Sequence, residues 1–391
     1  MELSEFKNPS GKLLPIRMHD GEYHAFIPDK LPAKLSYDEE LVRLLAEANF
    51  WLGKLDGAGA EVNTILKENA NLFIKPQLEN EAAASSKIEG TLSDLDDVLK
   101  EQAGHEIADE QKRGDMREVL NYIKAQEKGI ALIKEQRPID LQLITDLHSI
   151  LLHKTRDENA RPGTIRTVQN FISHYKNAPS IEYSTYVPPP PEMVKELLEN
   201  LFDYMEKSPE PLIVKIAIMH YQFEAIHPFL NGNGRIGRLL IILYLVRGKA
   251  LYLPLLYMSD YFEKNRVAYY MHLLDVSKNS TYSDWLKFFL TGVVYQSKIV
   301  IGKISKLSEY YKEKGDALEK YSKPTYVLFQ QLFASYFITI QRASFLIKVT
   351  YPTAKMAVEN LVKEGILEPV GQGKTRNQLF VARSIRGIYK T

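Results

Sequence analysis

The chain has 391 residues, 45% hydrophobic and 25% charged, an ordinary globular composition with room for two or three domains and at least one large core. Its 50 basic and 49 acidic residues leave a net charge of +1, which argues against a chain organised wholly around nucleic acid; any basic footprint must be local. It has no cysteine, which excludes disulfides and cysteine-based zinc sites, and its longest apolar run, Leu239 to Val246, is too short to span a bilayer.

Residues 1 to about 35 read as irregular, punctuated by Pro15, Pro28 and Pro32, with no apolar signal core. The expectation is a soluble, cytoplasmic protein without membrane contact. From Ser36 the pattern turns helical, with Leu41, Leu44, Leu45 and Ala48 on one face. A second helical pattern runs to about Lys67, and a third begins near Pro76 with Leu78, Ala82, Ala83 and Ser86 along it. That third pattern ends in Ser85-Ser86-Lys87-Ile88-Glu89-Gly90-Thr91. Gly90 suits the left-handed position after a helix, and Thr91 or Ser93 can cap the helix that follows. On its residues alone Glu89 reads as a solvated turn acid, because a helix C-terminus carries partial negative charge and disfavours a carboxylate. Residues 101 to 155 continue helical around a loop at Pro138; His148, among apolar neighbours, reads as a packed core histidine.

One section is not helical. Thr167, Val168, Phe171 and Ile172, then Tyr183, Thr185, Tyr186 and Val187, are β-formers, with a turn at Asn177, Pro179 and Ser180. This predicts a β-hairpin, closed by the stiff extended segment Pro188 to Pro191. Its exposed edges either pack over another segment or accept an added strand.

A helix over 193–207 and a strongly apolar helix over 211–226 follow, and the second delivers His227 at its end. Next comes His227-Pro228-Phe229-Leu230-Asn231-Gly232-Asn233-Gly234-Arg235-Ile236-Gly237-Arg238. A Gly-Asn-Gly turn that opens a helix directs backbone N–H groups at one centre, and with the helix dipole makes an anion site. Asn233 adds a side-chain amide donor. Arg235 and Arg238, three apart, reach one side of the helix start, and planar guanidinium groups suit phosphate oxygens. An imidazole with an unperturbed pKa of about 6.5 is mostly neutral at pH 7 and accepts a proton. The combination reads as a nucleoside triphosphate held on the turn beside a general base. A metal site from His220 and His227 is disfavoured.

The following helix is apolar nearly all round and marks a buried centre. Helical patterns continue over 252–279 and from 283 into a charged stretch ending near 322. The last seventy or so residues read as a helix at about 324 to 336, a second over 340–349, a third over 350–364, and a hairpin over 368–384 around a Gly-rich tip, the order of a winged helix-turn-helix. Lys374, Arg376, Arg383, Arg386 and Lys390 form a phosphate-contacting wing, while the third helix offsets Lys355 and Lys363 with Glu359 and Glu364. DNA or a protein partner fits this module equally.

The His227–Arg238 segment resembles the signature of the Fic family, H-P-F-x-[D/E]-G-N-G-R-x-x-R. Ser85, Glu89 and Gly90 resemble its inhibitory motif, [S/T]-x-x-x-E-[G/N], in the order found in the class with an N-terminal inhibitory helix. The segment from Arg166 to Ile172, followed by Tyr186 to Pro191, is similar to the family's flap hairpin and its exit. The segment from Leu256 to Tyr270 resembles the one bordering its base pocket. The resemblance covers about residues 20 to 300. It implies a mainly α fold: a helical bundle with a β-hairpin flap, an N-terminal inhibitory region over 1–105, a catalytic domain over 106–300, a connecting helix over 301–323 and a winged helix over 324–391.

The resemblance further implies transfer of AMP from ATP to a Ser, Thr or Tyr hydroxyl of a target protein and of the chain itself. His227 is then the general base. Gly232, Asn233 and Gly234 form the anion hole, Arg235 holds the β-phosphate and Arg238 the γ-phosphate, with Ile236 and Gly237 between them in the ATP site. Phe229 anchors the loop. Thr167, Val168, Gln169, Asn170, Phe171 and Ile172 dock the target by strand addition, and Tyr269 and Tyr270 line the adenine pocket. Glu89 pairs with Arg238 and blocks the γ-phosphate position. The family's Mg²⁺-binding acid is Asn231 here, which weakens the expected metal site. Three other readings stand beside this one: removal of AMP, transfer of another phosphate-containing group, and a DNA-binding regulator that senses nucleotide. A homodimer is also open.

Overall fold

The structure, a computed structural model, describes residues 2–18, 21–65, 71–105, 109–173, 180–371 and 378–390. It is mainly α, with fifteen α-helices and two small antiparallel sheets among the described residues. No helix among them is long and apolar enough to cross a membrane.

The N-terminal segment departs from the irregular reading. β1 (Gly11–Met18) and β2 (Gly21–Pro28) pair antiparallel, with Pro15 opposite His24. A two-stranded ribbon leaves each strand one unpaired edge, where a proline is tolerated. β2 buries Ala25, Phe26 and Ile27. The Phe26 ring lies 5.6 Å from Phe6 and 5.8 Å from Tyr186, and its N–H donates to the Val187 carbonyl at 2.8 Å.

The helices are α1 (Glu39–Ile65), α2 (Asn71–Ile88), α3 (Leu95–Gln102), α4 (Glu110–Lys134), α5 (Leu141–Leu152), α6 (Pro191–Lys207), α7 (Leu212–Ile226), α8 (Asn233–Arg247), α9 (Ser259–Lys264), α10 (Arg266–Asn279), α11 (Tyr282–Ala317) and α12 (Lys323–Gln331). After β3 (Phe337–Thr339) come α13 (Ile340–Ile347), α14 (Tyr351–Lys363), β4 (Glu368–Pro369), β5 (Leu379–Val381) and α15 (Arg383–Lys390). The first two helical patterns are one helix, α1. α2 starts five residues before Pro76 and holds that proline in its interior. α3 is capped by neither Thr91 nor Ser93. Asp94 accepts from the Asp97 N–H at 3.0 Å and Asp97 answers at the Asp94 N–H at 3.2 Å, a complete capping box. Gly90 does take the left-handed conformation, at φ +94°.

The chain divides into two compact units. One comprises Met1–Trp51, Asn121–Ala250 and Met258–Tyr295; the other comprises Leu52–Leu120, Leu251–Tyr257 and Gln296–Thr391. The first is built on α7 and α8, which pack together and are buried along nearly their whole length, with α6 and α10 against α7 and α5 against α8. The Trp285 indole N–H reaches the Ala217 carbonyl of α7 at 2.8 Å. Burial on all sides explains why α7 and α8 show no polar stripe.

The second unit holds α2, α3 and the C-terminal elements. Its sheet order is β3-β5-β4, and α12, α13 and α14 pack on one another. β3 and α15 extend the expected order of helices and hairpin. Phe73 of α2 stacks on Phe333 at 5.6 Å, and the Thr339 hydroxyl donates to the Ala103 carbonyl at 2.9 Å. Asp96 of α3 is buried and receives Arg386 Nη2 at 2.6 Å, Lys390 Nζ at 2.6 Å and the Tyr336 hydroxyl at 2.7 Å. Burial would raise the Asp96 carboxyl, but those hydrogen bonds outweigh it and hold it at about 2. Arg383 pairs with Glu368. So Arg383, Arg386 and Lys390, read from sequence as phosphate contacts, have acidic partners within their own unit. Lys374 and Arg376 lie outside the described residues.

Candidate active site

α7 ends at His227, whose backbone turns left-handed at φ 50° and ψ 60°. A non-glycine residue there is strained and persists only where its surroundings over-determine it. Its N–H is tied to the Phe223 carbonyl at 3.0 Å. Its Nδ1 lies 3.3 Å from the Glu224 carbonyl, and since a carbonyl only accepts, Nδ1 carries the proton. In the neutral ring Nε2 is then the proton-accepting nitrogen.

The loop that follows closes on itself. Asn233 Oδ1 accepts from the Phe229 N–H at 2.8 Å, and its Nδ2 donates to the Phe229 carbonyl at 2.8 Å. Both ends of that buried side chain are therefore tied to the loop. Gly232 precedes α8 at φ +79°, a left-handed position that favours glycine, and a Cβ there would come 3.3 Å from Leu151 and 3.4 Å from His148. The first helical bond of α8 runs from Ile236 N–H to Gly232 O at 3.1 Å. The N–H groups of Asn233, Gly234 and Arg235 precede it, as at any helix start, and the dipole favours an anion there. Ile236 is buried in the core, and Gly237 packs so closely on α7 that a Cβ would come 2.5 Å from Glu224 Oε1.

His148 is the expected core histidine, with a defined task. Its Nδ1 accepts from the Gly163 N–H at 2.9 Å, so its Nε2–H donates to the Asn231 carbonyl at 2.9 Å. Its ring stacks on buried Phe229 at 3.8 Å. Burial pushes it down to about 4, with Arg235 adding to the effect, so it stays neutral and keeps this tautomer.

The two arginines are held differently. Arg235 is 1% exposed and its Nη2 sits 3.3 Å from Asp157 Oδ2. Arg238, also buried, hydrogen-bonds the Tyr269 hydroxyl, which lies 2.8 Å from His220 Nε2. His220 is pushed down to about 3 by burial and then by the Arg238 charge, so it remains neutral. Tyr269 is thus a buried support of Arg238 rather than an open wall for a base, while Tyr270 is 37% exposed with the Arg266 guanidinium 5.8 Å from its ring centre. A cavity of about 360 Å³ in this unit is lined by Tyr261, His272, Asp275 and Phe288 among others, not by Tyr269 or Tyr270. Sequence reasoning gave no role to Asp157 or Tyr269's hydroxyl, because their partners lie 78 and 49 residues away.

The two legs of the flap are joined antiparallel, as the hairpin reading expects. Among the described residues, Ile172 and Tyr186 form its single bridge, with Ile172 N–H to Tyr186 O at 2.8 Å. Its expected turn residues Asn177 and Pro179 lie outside the described residues. Donors near its root serve the active loop instead. The Arg166 N–H reaches the Pro228 carbonyl at 3.0 Å, and Asn170 Nδ2 reaches the Phe229 carbonyl at 2.9 Å. Gln169 Nε2 bonds the Pro188 carbonyl at 2.8 Å, joining the two legs. Thr167 accepts from Arg161 at 2.9 Å, Val168 is 53% exposed, and Phe171 is half-buried.

Ser85 is fully buried in α2. Glu89 is half-buried in the closing turn, its N–H on the Ser86 carbonyl at 3.0 Å, and Gly90 follows. All three belong to the second unit, whereas His227 to Arg238 belong to the first. Asn231 Oδ1 accepts from the Gly232 N–H at 2.7 Å, and no group of three His, Asp or Glu side chains among the described residues could hold a metal ion.

The Fic/DOC family model matches residues 138–245, and the Fic/DOC family N-terminal model matches residues 42–131. Together the matches span about half of the chain. The chain is 30% identical over 142 residues to "Protein adenylyltransferase fic-1" of Caenorhabditis elegans, a stretch covering 35% of this chain and 25% of that protein. It is 32% identical over 133 residues to "Protein adenylyltransferase Fic" of Nematostella vectensis, covering 33% and 27%. The match thus spans about a quarter of the length of these relatives. A crystal structure of a Fic family protein from Desulfovibrio desulfuricans G20 is similar in fold, with a TM-score of 0.56 at 19% identity over 90% of this chain and 98% of that one.

Proposed function

The chain belongs to the Fic/DOC family, and from that premise we propose that it is a protein adenylyltransferase, transferring AMP from ATP to a Ser, Thr or Tyr hydroxyl of a target protein and of itself. One observation carries the reading: the left-handed turn at His227 and the first turn of α8, with Arg235 and Arg238, are joined by a loop of five residues whose shape is closed by Asn233. His227 Nε2 takes the proton of the target hydroxyl. The hydroxyl oxygen attacks the α-phosphorus, the bond to the β-phosphate oxygen breaks, and pyrophosphate leaves. The backbone of Gly232 to Gly234 and the two guanidinium groups hold the triphosphate in line, which is most of what such a reaction needs.

Glu89 restrains this activity by competing with the γ-phosphate for Arg238. The pairing of Arg383, Arg386 and Lys390 with acids of their own unit favours a protein-contacting role over DNA reading for residues 324–391, which we read as a winged helix.

Incubating the protein with ATP, Mg²⁺ and a cell lysate, then analysing by mass spectrometry, is expected to show hydroxyl residues heavier by one AMP and pyrophosphate released one for one. Loss of AMP from a pre-modified protein, without any gain, sinks the transferase reading in favour of AMP removal. Magnesium enters with ATP as part of the substrate. An anionic oxygen at position 231 would add a ligand that the amide supplies without charge. Asn231→Asp is therefore expected to lower the Mg²⁺ midpoint of the transfer rate several-fold. Equal midpoints in a titration of both proteins would remove residue 231 from any metal role.

A further inference from the structure

We propose that Arg166 is a positioning residue for this reaction, holding His227 in its left-handed backbone conformation; the inference rests on the transferase reading above. Arg166 is 2% exposed. Its Nε donates to the His227 carbonyl at 2.8 Å, and its Nη2 reaches the Ile226 carbonyl at 3.3 Å and the Pro189 carbonyl. Its own N–H takes the Pro228 carbonyl at 3.0 Å. Three successive carbonyls, 226 to 228, are thus claimed by one residue. It stands where the flap leaves the core, where the flap returns at Pro189, and where α7 ends.

The charge is unusual for so buried a place. Burial pushes the guanidinium down to about 10, so it remains protonated at neutral pH, and the fields of Tyr186 and Glu192 only partly oppose that effect. Its Nη1 has no hydrogen-bond partner among the described residues. The carbonyl end of α7 supplies the negative potential that a cation there requires. A guanidinium that is desolvated and incompletely bonded is a poor device for stability alone. As a clamp it is apt, because its planar fork spans two adjacent carbonyls that an ammonium cannot reach together. The αL turn at His227 leaves the Ile226 and His227 carbonyls without helical partners, and Arg166 supplies those bonds. With the turn fixed, the ring keeps Nδ1–H on Glu224 O and Nε2 as the base. The same side chain ties both legs of the flap to His227, so target docking and proton removal share one support.

The test uses the full chain carrying Glu89→Gly as parent. Arg166→Gln is expected to lower kcat about 30-fold, part of the roughly 100-fold that a misplacement of about 1 Å costs, with the KM for ATP within twofold. Arg166→Lys keeps the charge but reaches fewer carbonyls, and should recover part of the loss. A kcat within twofold of the parent in both variants overturns the proposal, as does a fall in kcat matched by an equal fall in ATP affinity. If Arg166→Gln does not fold, Arg166→Lys alone carries the test, with an expected loss of about fivefold. The ¹⁵N signals of the His227 ring give a readout without turnover: an Arg166 variant should lose the single Nδ1-protonated tautomer, and unchanged signals overturn the role. A parent that transfers no AMP while the ring signals respond to Arg166 would sink the transferase reading and leave the positioning role standing.

Discussion

Replacing His227 by alanine is expected to lower AMP transfer by about 10²–10⁴-fold, the usual contribution of a well-placed general base, while ATP affinity stays within a few-fold of wild type. The two effects separate because the groups read as holding the triphosphate lie on α8, and the loop between is closed by Asn233 and His148 rather than by the His227 ring. Initial rates of pyrophosphate release and calorimetric ATP binding check both halves. A rate within threefold of wild type would assign the base to another group. The pH profile adds a second check. His148 and His220 are held near 4 and 3 by burial, so both are neutral above about pH 5. A group with a depressed imidazole pKa titrates only below that range. A rate that changes above about pH 5 therefore has neither His148 nor His220 as its source.

What the sequence revealed of the site is what lies close along the chain. The Gly-Asn-Gly turn, the helix it opens and the histidine that ends α7 sit within twelve residues, and local backbone chemistry alone identifies them. The supports do not. Arg166 meets its carbonyls 60 and 61 residues on, and Arg235 meets Asp157 across 78. Such partners are fixed by packing, and nothing in a single chain's spacing reports it. The same holds for the C-terminal cations: Arg386 lies 290 residues from Asp96, so a basic tail legible as a phosphate-contacting wing is in part an internal ion pair. The N-terminal hairpin was obscured for a different reason. Pro15 reads as a breaker in a central strand but is permitted on an unpaired edge, and the edge is a property of the fold. The flap was legible from its β-formers: among the described residues Ile172 bridges Tyr186 antiparallel, while Arg166 and Asn170 spend side-chain donors on the loop from His227 to Phe229, which no spacing reports.

Glu89→Gly is expected to raise auto-modification by about 100-fold. Arg238 is the residue both ligands would need. Its guanidinium is buried and already oriented by the Tyr269 hydroxyl, which His220 in turn holds, so it cannot follow a ligand that shifts. A carboxylate and a γ-phosphate cannot both occupy it, and a triphosphate displaced from that grip presents its α-phosphorus out of line, a costly error when positioning carries the catalysis. Glu89 ends α2, in a turn closed by its own N–H on Ser86 O and followed by Gly90 at φ +94°. Glycine at 89 removes the carboxylate and loosens the turn together, so Glu89→Gln is the sharper variant. It keeps the shape and loses the charge, and if competition for Arg238 is electrostatic it should recover most of the activation. Incorporation of labelled ATP into the purified protein, measured as an initial rate, distinguishes the cases. Equal rates in wild type and Glu89→Gly would remove Glu89 as a restraint. Activation by Gly but not by Gln would make the turn, and not the charge, the brake. The double variant Glu89→Gly/His227→Ala should be as inactive as His227→Ala alone, because lifting a restraint gains nothing where no group can take the hydroxyl proton.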